Sequence, residues 1–265
     1  MAVTIAVLSQ KGGTGKTTAV RTLADVFRRV GLETLAVDLD PQGNLSDYFD
    51  LPPDAEPTIA EVLGGSRPAT EAIHDDVIPA NLQLAEAELA LTGKMGRELT
   101  LRRALRGLGD GYDVILVDCP PSLGLLTVNA LVAADHALIT AEAQYFALQG
   151  VEQALEVIDL ARENLNPDLN WVGVVLNLAD MRTVHSREAY QSLADAYPDQ
   201  VFRTTIRQSI AYAESAERAV SILDYRPDLG ADYLALAREL LDRLGLEDAS
   251  ERVESLAGEL AGGRR

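Results

Sequence analysis

Along the 265 residues, apolar runs of strand length alternate with stretches of helical spacing. The runs at 3–8, 34–38, 114–118, 136–140 and 171–177 are mostly continuous, the pattern of strands buried on both faces. Residues 16–30 place Val20, Leu23, Ala24, Phe27 and Val30 on one helical face, and Gly31 supplies a stop. Residues 122–134, 148–164 and 231–244 also read as helices. In the last, Tyr233, Leu234, Ala237, Leu240, Leu241 and Leu244 form a stripe suited to packing on a sheet. Strands alternating with helices imply right-handed crossovers, hence an α/β fold with a mostly parallel, twisted sheet and helices on both faces. Ligands in such folds bind beyond the carboxyl ends of the strands, so the residues that follow each strand carry the chemistry.

Two stretches fall outside this rhythm. Residues 51–71, with Pro52, Pro53, Pro57, Gly64, Gly65 and Pro68, read as a loop-rich insertion with one short helix near 59–63. Residues 247–265 read as a polar, partly frayed tail after a domain spanning 1–246. In that tail Val253, Leu256 and Leu260 would line one face of a short helix, and Glu251, Glu254 and Glu259 outweigh Arg252 on the other. An acidic face opposes anionic lipid, which argues against a membrane. No apolar run reaches the roughly 18 residues of a membrane span, and the apolar start at 3–8 reads as a strand, not a signal peptide.

Composition narrows the chemistry. The net charge is −18, so DNA and anionic lipid are repelled at long range and any binding to them needs a local basic patch. Twenty of the basic residues are arginines and three are lysines, Lys11, Lys16 and Lys94. Two of those lysines share one glycine-rich stretch, as expected where a phosphate-facing point charge does not exchange freely with a guanidinium fork. The single cysteine, Cys119, excludes an internal disulfide and suits a reducing cytosol. His74, His136 and His185 lack metal-ligand spacing.

The first strand leads into Gln10-Lys11-Gly12-Gly13-Thr14-Gly15-Lys16-Thr17-Thr18. A phosphate-binding loop needs glycines so that successive N–H groups turn inward, a lysine for the β- and γ-phosphates, and a hydroxyl for Mg²⁺. Lys16 and Thr17 fill these places, and the following helix adds its N-terminal dipole. Lys11 stands where the usual pattern has its first glycine. The second strand ends in Asp38-Leu39-Asp40-Pro41-Gln42-Gly43-Asn44. Acids beside phosphates imply a metal or a positioned water. The third ends in Val114-Ile115-Leu116-Val117-Asp118, a Walker B pattern.

These stretches, with Cys119-Pro120-Pro121-Ser122-Leu123-Gly124-Leu125-Leu126-Thr127-Val128-Asn129-Ala130 and Tyr145-Phe146-Ala147-Leu148-Gln149-Gly150, closely resemble the ParA/Soj branch of the deviant Walker A (ParA/MinD) ATPases. The resemblance runs from about Met1 to Leu244. It implies a P-loop NTPase fold, ATP and Mg²⁺ as cofactors, and hydrolysis of ATP. Residue by residue, Lys11 matches a signature lysine that reaches a partner's nucleotide across a homodimer. Gly12 matches a position kept small at that interface. Gly13, Thr14, Gly15, Lys16, Thr17 and Thr18 complete the loop. Asp40 matches the switch aspartate of hydrolysis, Asp118 the Walker B acid, and Asn177 the position that reads adenine. Thr17, Asp40 and Asp118 form the implied metal surroundings. The family's ATP dimer binds a matrix, usually nucleoid DNA, and a ParB-like adaptor stimulates hydrolysis.

Arg182 falls where one of the family's DNA-contacting arginines is expected. The next basic cluster departs from the pattern: Arg207 replaces a proline, and Gln208 and Ala211 replace arginines, so that Arg203, Arg207 and Arg218 are left to compensate. Three readings follow: a partition or positioning switch, with or without DNA as matrix; a MinD-like membrane regulator; and a metabolic P-loop enzyme related to dethiobiotin synthetase.

Overall fold

The computed structural model describes residues 2–108 and 111–262. In chain order the elements are β1 (Val3–Leu8), α1 (Lys16–Arg29), β2 (Thr34–Asp38), α2 (Asn44–Tyr48), α3 (Ile59–Gly64), β3 (Val77–Ile78), α4 (Gln83–Leu91) and α5 (Thr100–Leu105). They continue with β4 (Val114–Asp118), α6 (Leu125–Ala133), β5 (His136–Glu142), α7 (Ala147–Asn164), β6 (Asn170–Ala179), α8 (Val184–Ala196), β7 (Val201–Arg207), α9 (Ala211–Glu217), α10 (Ile222–Tyr225), α11 (Pro227–Arg243) and α12 (Glu247–Gly262).

The strands form one parallel sheet ordered β3-β2-β4-β1-β5-β6-β7. The five strands expected from apolar runs occupy its middle; β3 and β7 extend it at the two edges. Side chains alternate across the sheet as period-2 geometry requires. Ile5 and Val7 of β1 face the layer of α1 and α11, whereas Ala6 and Leu8 join the opposite core with α6 and α7. The chain leaves β1 toward β2 on one side and later fills β5 on the other, so the loops after β1 and β4 open at the reversal of strand order.

The edges are closed by side chains. On β7 the N–H groups of Arg203 and Thr204 donate to Glu239 at 3.0 and 3.1 Å, and that of Arg207 donates to Asp232 at 3.1 Å. Both acids belong to α11, two helical turns apart, and their carboxylates take up donors that an unpaired edge would offer to another chain. Within β6 the register shifts opposite Ala137 and Leu138, at Gly173. Gly173 has φ +141°, and a Cβ there would lie 2.2 Å from the Gln200 carbonyl and 2.6 Å from Nη1 of Arg243. That guanidinium donates to the carbonyls of Val172, Gln200 and Val201 and lies 3.9 Å from the Phe202 ring centroid.

The insertion at 51–71 holds α3, capped reciprocally by Thr58 and Glu61. Beyond 246 the chain forms α12, which packs against α11 with Ala249 and Val253 buried and Leu256 and Leu260 partly buried. The face considered for lipid therefore meets protein. Arg238 and Glu254 join the two helices by an ion pair of 3.3 Å. Of the residues 262–265 expected to fray, Gly262 is the last residue of α12, and 263–265 fall outside the described residues. Among the described residues no helix is long and apolar enough to cross a membrane.

Gly173→Ala is expected to destabilise the fold by about 3 kcal/mol, because both the backbone conformation and the Cβ are refused. A shift of the urea midpoint reads this; an unchanged midpoint would show that the bulge relaxes freely.

Candidate functional site

The turn after β1 is built by its own hydrogen bonds. Ser9 Oγ donates to the Lys11 carbonyl at 2.7 Å, and the Thr14 hydroxyl donates to Ser9 Oγ at 2.9 Å. Thr14 also lies 3.0 Å from the Thr140 hydroxyl on β5. From β6, Asn177 Nδ2 donates to the Thr14 carbonyl at 2.7 Å. Gly15, at φ +80°, precedes α1 and passes so close to Asn177 that a Cβ would lie 2.8 Å from Nδ2. Strand ends from β5 and β6 thus brace the loop that β1 delivers.

Lys16 is buried, and its Nζ donates to Ser9 Oγ at 3.0 Å and to the Lys11 carbonyl at 3.5 Å. Burial lowers its pKa, opposed by the charges of Asp118, Cys119 and Asp40. Gly12, Gly13, Gly15, Lys16, Thr17, Thr18, Asp40 and Asn177 line one cleft of about 730 Å³. Ile206, Tyr212 and Tyr233 wall its far end. Thr14 is buried behind the loop. Lys11 does not line the cleft: it is exposed, with Nζ 5.5 Å from the Phe146 ring centroid.

The parallel pairing of β2 with β4 sets Asp38 directly beside Asp118. Asp38 accepts from the Asp40 N–H at 3.0 Å, and from the Ser46 N–H and hydroxyl at 3.1 and 2.9 Å. Even so, burial pushes its carboxyl up to about 6. Asp118 is fully buried, and among the described residues no donor completes a hydrogen bond to either of its oxygens. Burial raises it well above the carboxylate range, Asp38 adds to the rise, and the nearby Thr17 hydroxyl and Lys16 oppose it. The Thr17 hydroxyl thus approaches the carboxylate as a donor without reaching full hydrogen-bond geometry. Asp40, one turn further on, accepts from the Gln42 N–H at 3.0 Å.

A buried carboxylate without a donor, beside a second acid and a threonine hydroxyl, fits a divalent cation. Among the described residues no group of three or more His, Cys, Asp or Glu could hold a metal ion. A cation here would therefore depend on Thr17, Asp118, water and the oxygens of a bound phosphate. Asn177 Oδ1 is a second buried atom without a partner; its amide nitrogen is already committed to the loop, leaving the oxygen as an acceptor.

The three candidate nucleic-acid arginines lie apart from the cleft lining. Arg182, in the turn after β6, is 91% exposed and forms a two-pronged pair with Asp180 at 2.9 Å on each arm. Arg207 pairs with Asp232 at 2.8 Å and donates to the Asp228 carbonyl. Arg203 projects from the same edge strand with no ion pair among the described residues. Sequence reasoning assigned no role to Ser9, Ser46, Thr140 or the pairing of Asp38 with Asp118. Ser9 follows a strand and Thr140 lies near the end of another, so inspecting strand ends is the signal that finds both.

The paired acids make ligand-free stability depend on pH. Burial holds the Asp38 carboxyl above the value it has in the unfolded chain. Its stabilising contribution is therefore present at low pH, where both states are protonated, and is lost as pH rises through the raised folded value. Asp118 acts in the same direction. Asp118→Asn is expected to raise the ligand-free melting temperature at pH 7 and to flatten this dependence, measured by thermal unfolding between pH 4 and 8; an unchanged profile would contradict the assignment.

Comparison with known proteins agrees with this geometry. A family model described as an AAA domain (AAA_31) matches residues 2–171. The chromosome partitioning protein ParA of Myxococcus xanthus is 39% identical over 90% of this chain and 88% of its own. The sporulation initiation inhibitor protein Soj of Bacillus subtilis is 38% identical over 89% of this chain and 97% of its own. A solved structure named as cobyrinic acid a,c-diamide synthase from Mycobacterium smegmatis, with bound ADP and magnesium, is 38% identical. It covers 82% of this chain and 93% of its own, at a TM-score of 0.75. With its phosphate loop between β1 and α1, and an acid ending β4 beside it, the chain belongs to the ParA/Soj-type ATPases of the deviant Walker A superfamily.

Proposed function

We propose that this protein is a Mg²⁺-dependent ATPase that closes into a homodimer on ATP and opens after hydrolysis, driving partition or positioning of a cargo in the cytoplasm. The observation that carries the reading is the donor-less Asp118 carboxylate facing the loop of Lys16 and Thr17. ATP bound in the cleft brings a phosphoryl group whose oxygens gain charge as it is transferred. Lys16 and the loop N–H groups answer that charge. Thr17 and Asp118 would hold the Mg²⁺ ion that accompanies it, which would supply positive charge beside the phosphates. Asp40 orients the attacking water from the rim of the cleft, and the Asn177 oxygen accepts from the base.

Two observations favour a dimer over a small-molecule synthase of the kind named among the solved structures. Lys11 is exposed and points away from its own cleft. At Gly12 an added Cβ would meet only Pro121, at 3.8 Å, so nothing within one chain requires glycine. A small residue there leaves room for whatever meets the loop from outside the chain, which in the dimer reading is a second copy. Gly12→Val is expected to fold and to stay monomeric in light scattering at concentrations of a fluorescent ATP analogue that saturate it. A dimer formed by this variant with ATP would sink the reading.

The matrix we infer is DNA, held without sequence preference, and the adaptor a basic, ParB-like segment suited to the acidic surface. The ion pairs of Arg182 and Arg207 support a second reading, a positioning switch on a matrix other than DNA. An Asp40→Ala variant, which binds ATP and dimerises without hydrolysis, separates the two. Its binding to random-sequence duplex is measured with ATP and with ADP across a salt series. ATP-dependent binding whose salt slope steepens by about 1 on adding Asp180→Asn, which frees Arg182, supports DNA. No binding at low salt by a confirmed dimer removes DNA as the matrix.

A further inference from the structure

The Lys11 backbone and side chain are held by different parts of the molecule. Its carbonyl accepts from Ser9 and Lys16 inside the phosphate loop. Its side chain instead runs out to the segment between β5 and α7, where Nζ lies 5.5 Å from the Phe146 ring centroid, within the range of a cation–π contact. Phe146 is 57% exposed and Tyr145 81% exposed. The two rings stand edge to face, with centroids 5.1 Å apart and planes at 85°. Neither ring is needed to fill the core.

The chain carries 41 acidic residues, yet no acid pairs with Lys11 among the described residues. Glu142, the last residue of β5, accepts instead from the Gln144 side chain. The ring face of Phe146 is therefore what holds the ammonium. Such a contact suits a group that must leave: it is weaker than a buried ion pair, and it releases no stranded carboxylate when broken.

We propose that Phe146 is a positioning residue that parks Lys11 away from its own cleft while the chain is alone, so that Lys11 must quit the ring to reach a second copy. The inference rests on the dimer reading above. It makes Phe146 a brake on closure: weakening the seat favours the dimer, and nucleotide binding by a single chain is untouched.

With only three lysines, the chain gives a sparse spectrum after reductive ¹³C-dimethylation, which keeps the charge. The Lys11 signal is identified by its loss in Lys11→Arg. It is expected upfield of Lys94 through the ring current, to lose that displacement in Phe146→Leu, and to keep it in Phe146→Tyr. In unlabelled full-length protein with a non-hydrolysable ATP analogue, sedimentation equilibrium should show Phe146→Leu tightening the dimer roughly two- to fivefold. Phe146→Tyr should match wild type, as should the affinity of dilute monomer for fluorescent nucleotide in both variants. A Lys11 signal without upfield displacement overturns the proposal. So does a Phe146→Leu dimer no tighter than wild type, while the wild type dimerises. A wild type that stays monomeric with the analogue removes the dimer reading itself, and the role of Phe146 with it.

Discussion

The carboxylate at the end of β4 lies on an inner strand of the sheet, out of water, with no donor on either oxygen among the described residues. Burying an anion this way is unfavourable by several kcal/mol unless a proton or a cation answers it. Asp38 makes the problem worse, since parallel pairing holds it alongside. Lys16 relieves part of it, but its own burial weakens its charged form. The ligand-free chain thus carries an electrostatic deficit at the place where the loop, the helix N-terminus and the Asp40 turn converge. A cation arriving there with phosphate oxygens removes the deficit, which couples ligand binding to the stability of the whole centre.

Around this deficit the scaffold is tightly braced. The Thr14 carbonyl is gripped by Asn177 from β6, and the Thr14 hydroxyl meets Thr140 from β5. The loop cannot shift without disturbing two neighbouring strands, and this suits a site that must present its N–H groups before a ligand arrives. Lys11 is the contrast. Its backbone shares this bracing, while its side chain rests on an exposed ring. A fixed cradle and a detachable cation in one short loop are what a chain needs if it binds nucleotide alone but completes its chemistry with a second copy.

Charge is arranged with similar economy. Asp232 and Glu239 of α11 cover the edge of β7, and Asp232 also pairs with Arg207. The same acid that keeps the sheet edge from pairing with another chain therefore holds an arginine that a phosphate would otherwise claim. Asp180 does this for Arg182. In a chain of net charge −18, recruitment of either arginine by a polyanion means displacing its carboxylate first.

Local pattern alone made much of this legible. Five central strands stand out because burial on both faces demands unbroken apolar runs, and the phosphate loop stands out because glycines, Lys16 and Thr17 follow a strand. The two edge strands were not legible. Val77–Ile78 is too short to show a pattern, and Val201–Arg207 carries Arg203, Thr204, Thr205 and Arg207 because one side of it meets α11 carboxylates rather than another strand. The apolar face of residues 247–262 was visible in sequence, but only packing decided that α11 covers it. The pairing of Asp38 with Asp118, the seat of Lys11 on Phe146 and the bracing of Thr14 by Asn177 join residues far apart in the chain. The sequence by itself determined where the charged residues stand along the chain and which five apolar runs become the central strands. Strand order decided which of those charges meet, because adjacency across a sheet depends on how the chain crosses over, and no local pattern encodes that path.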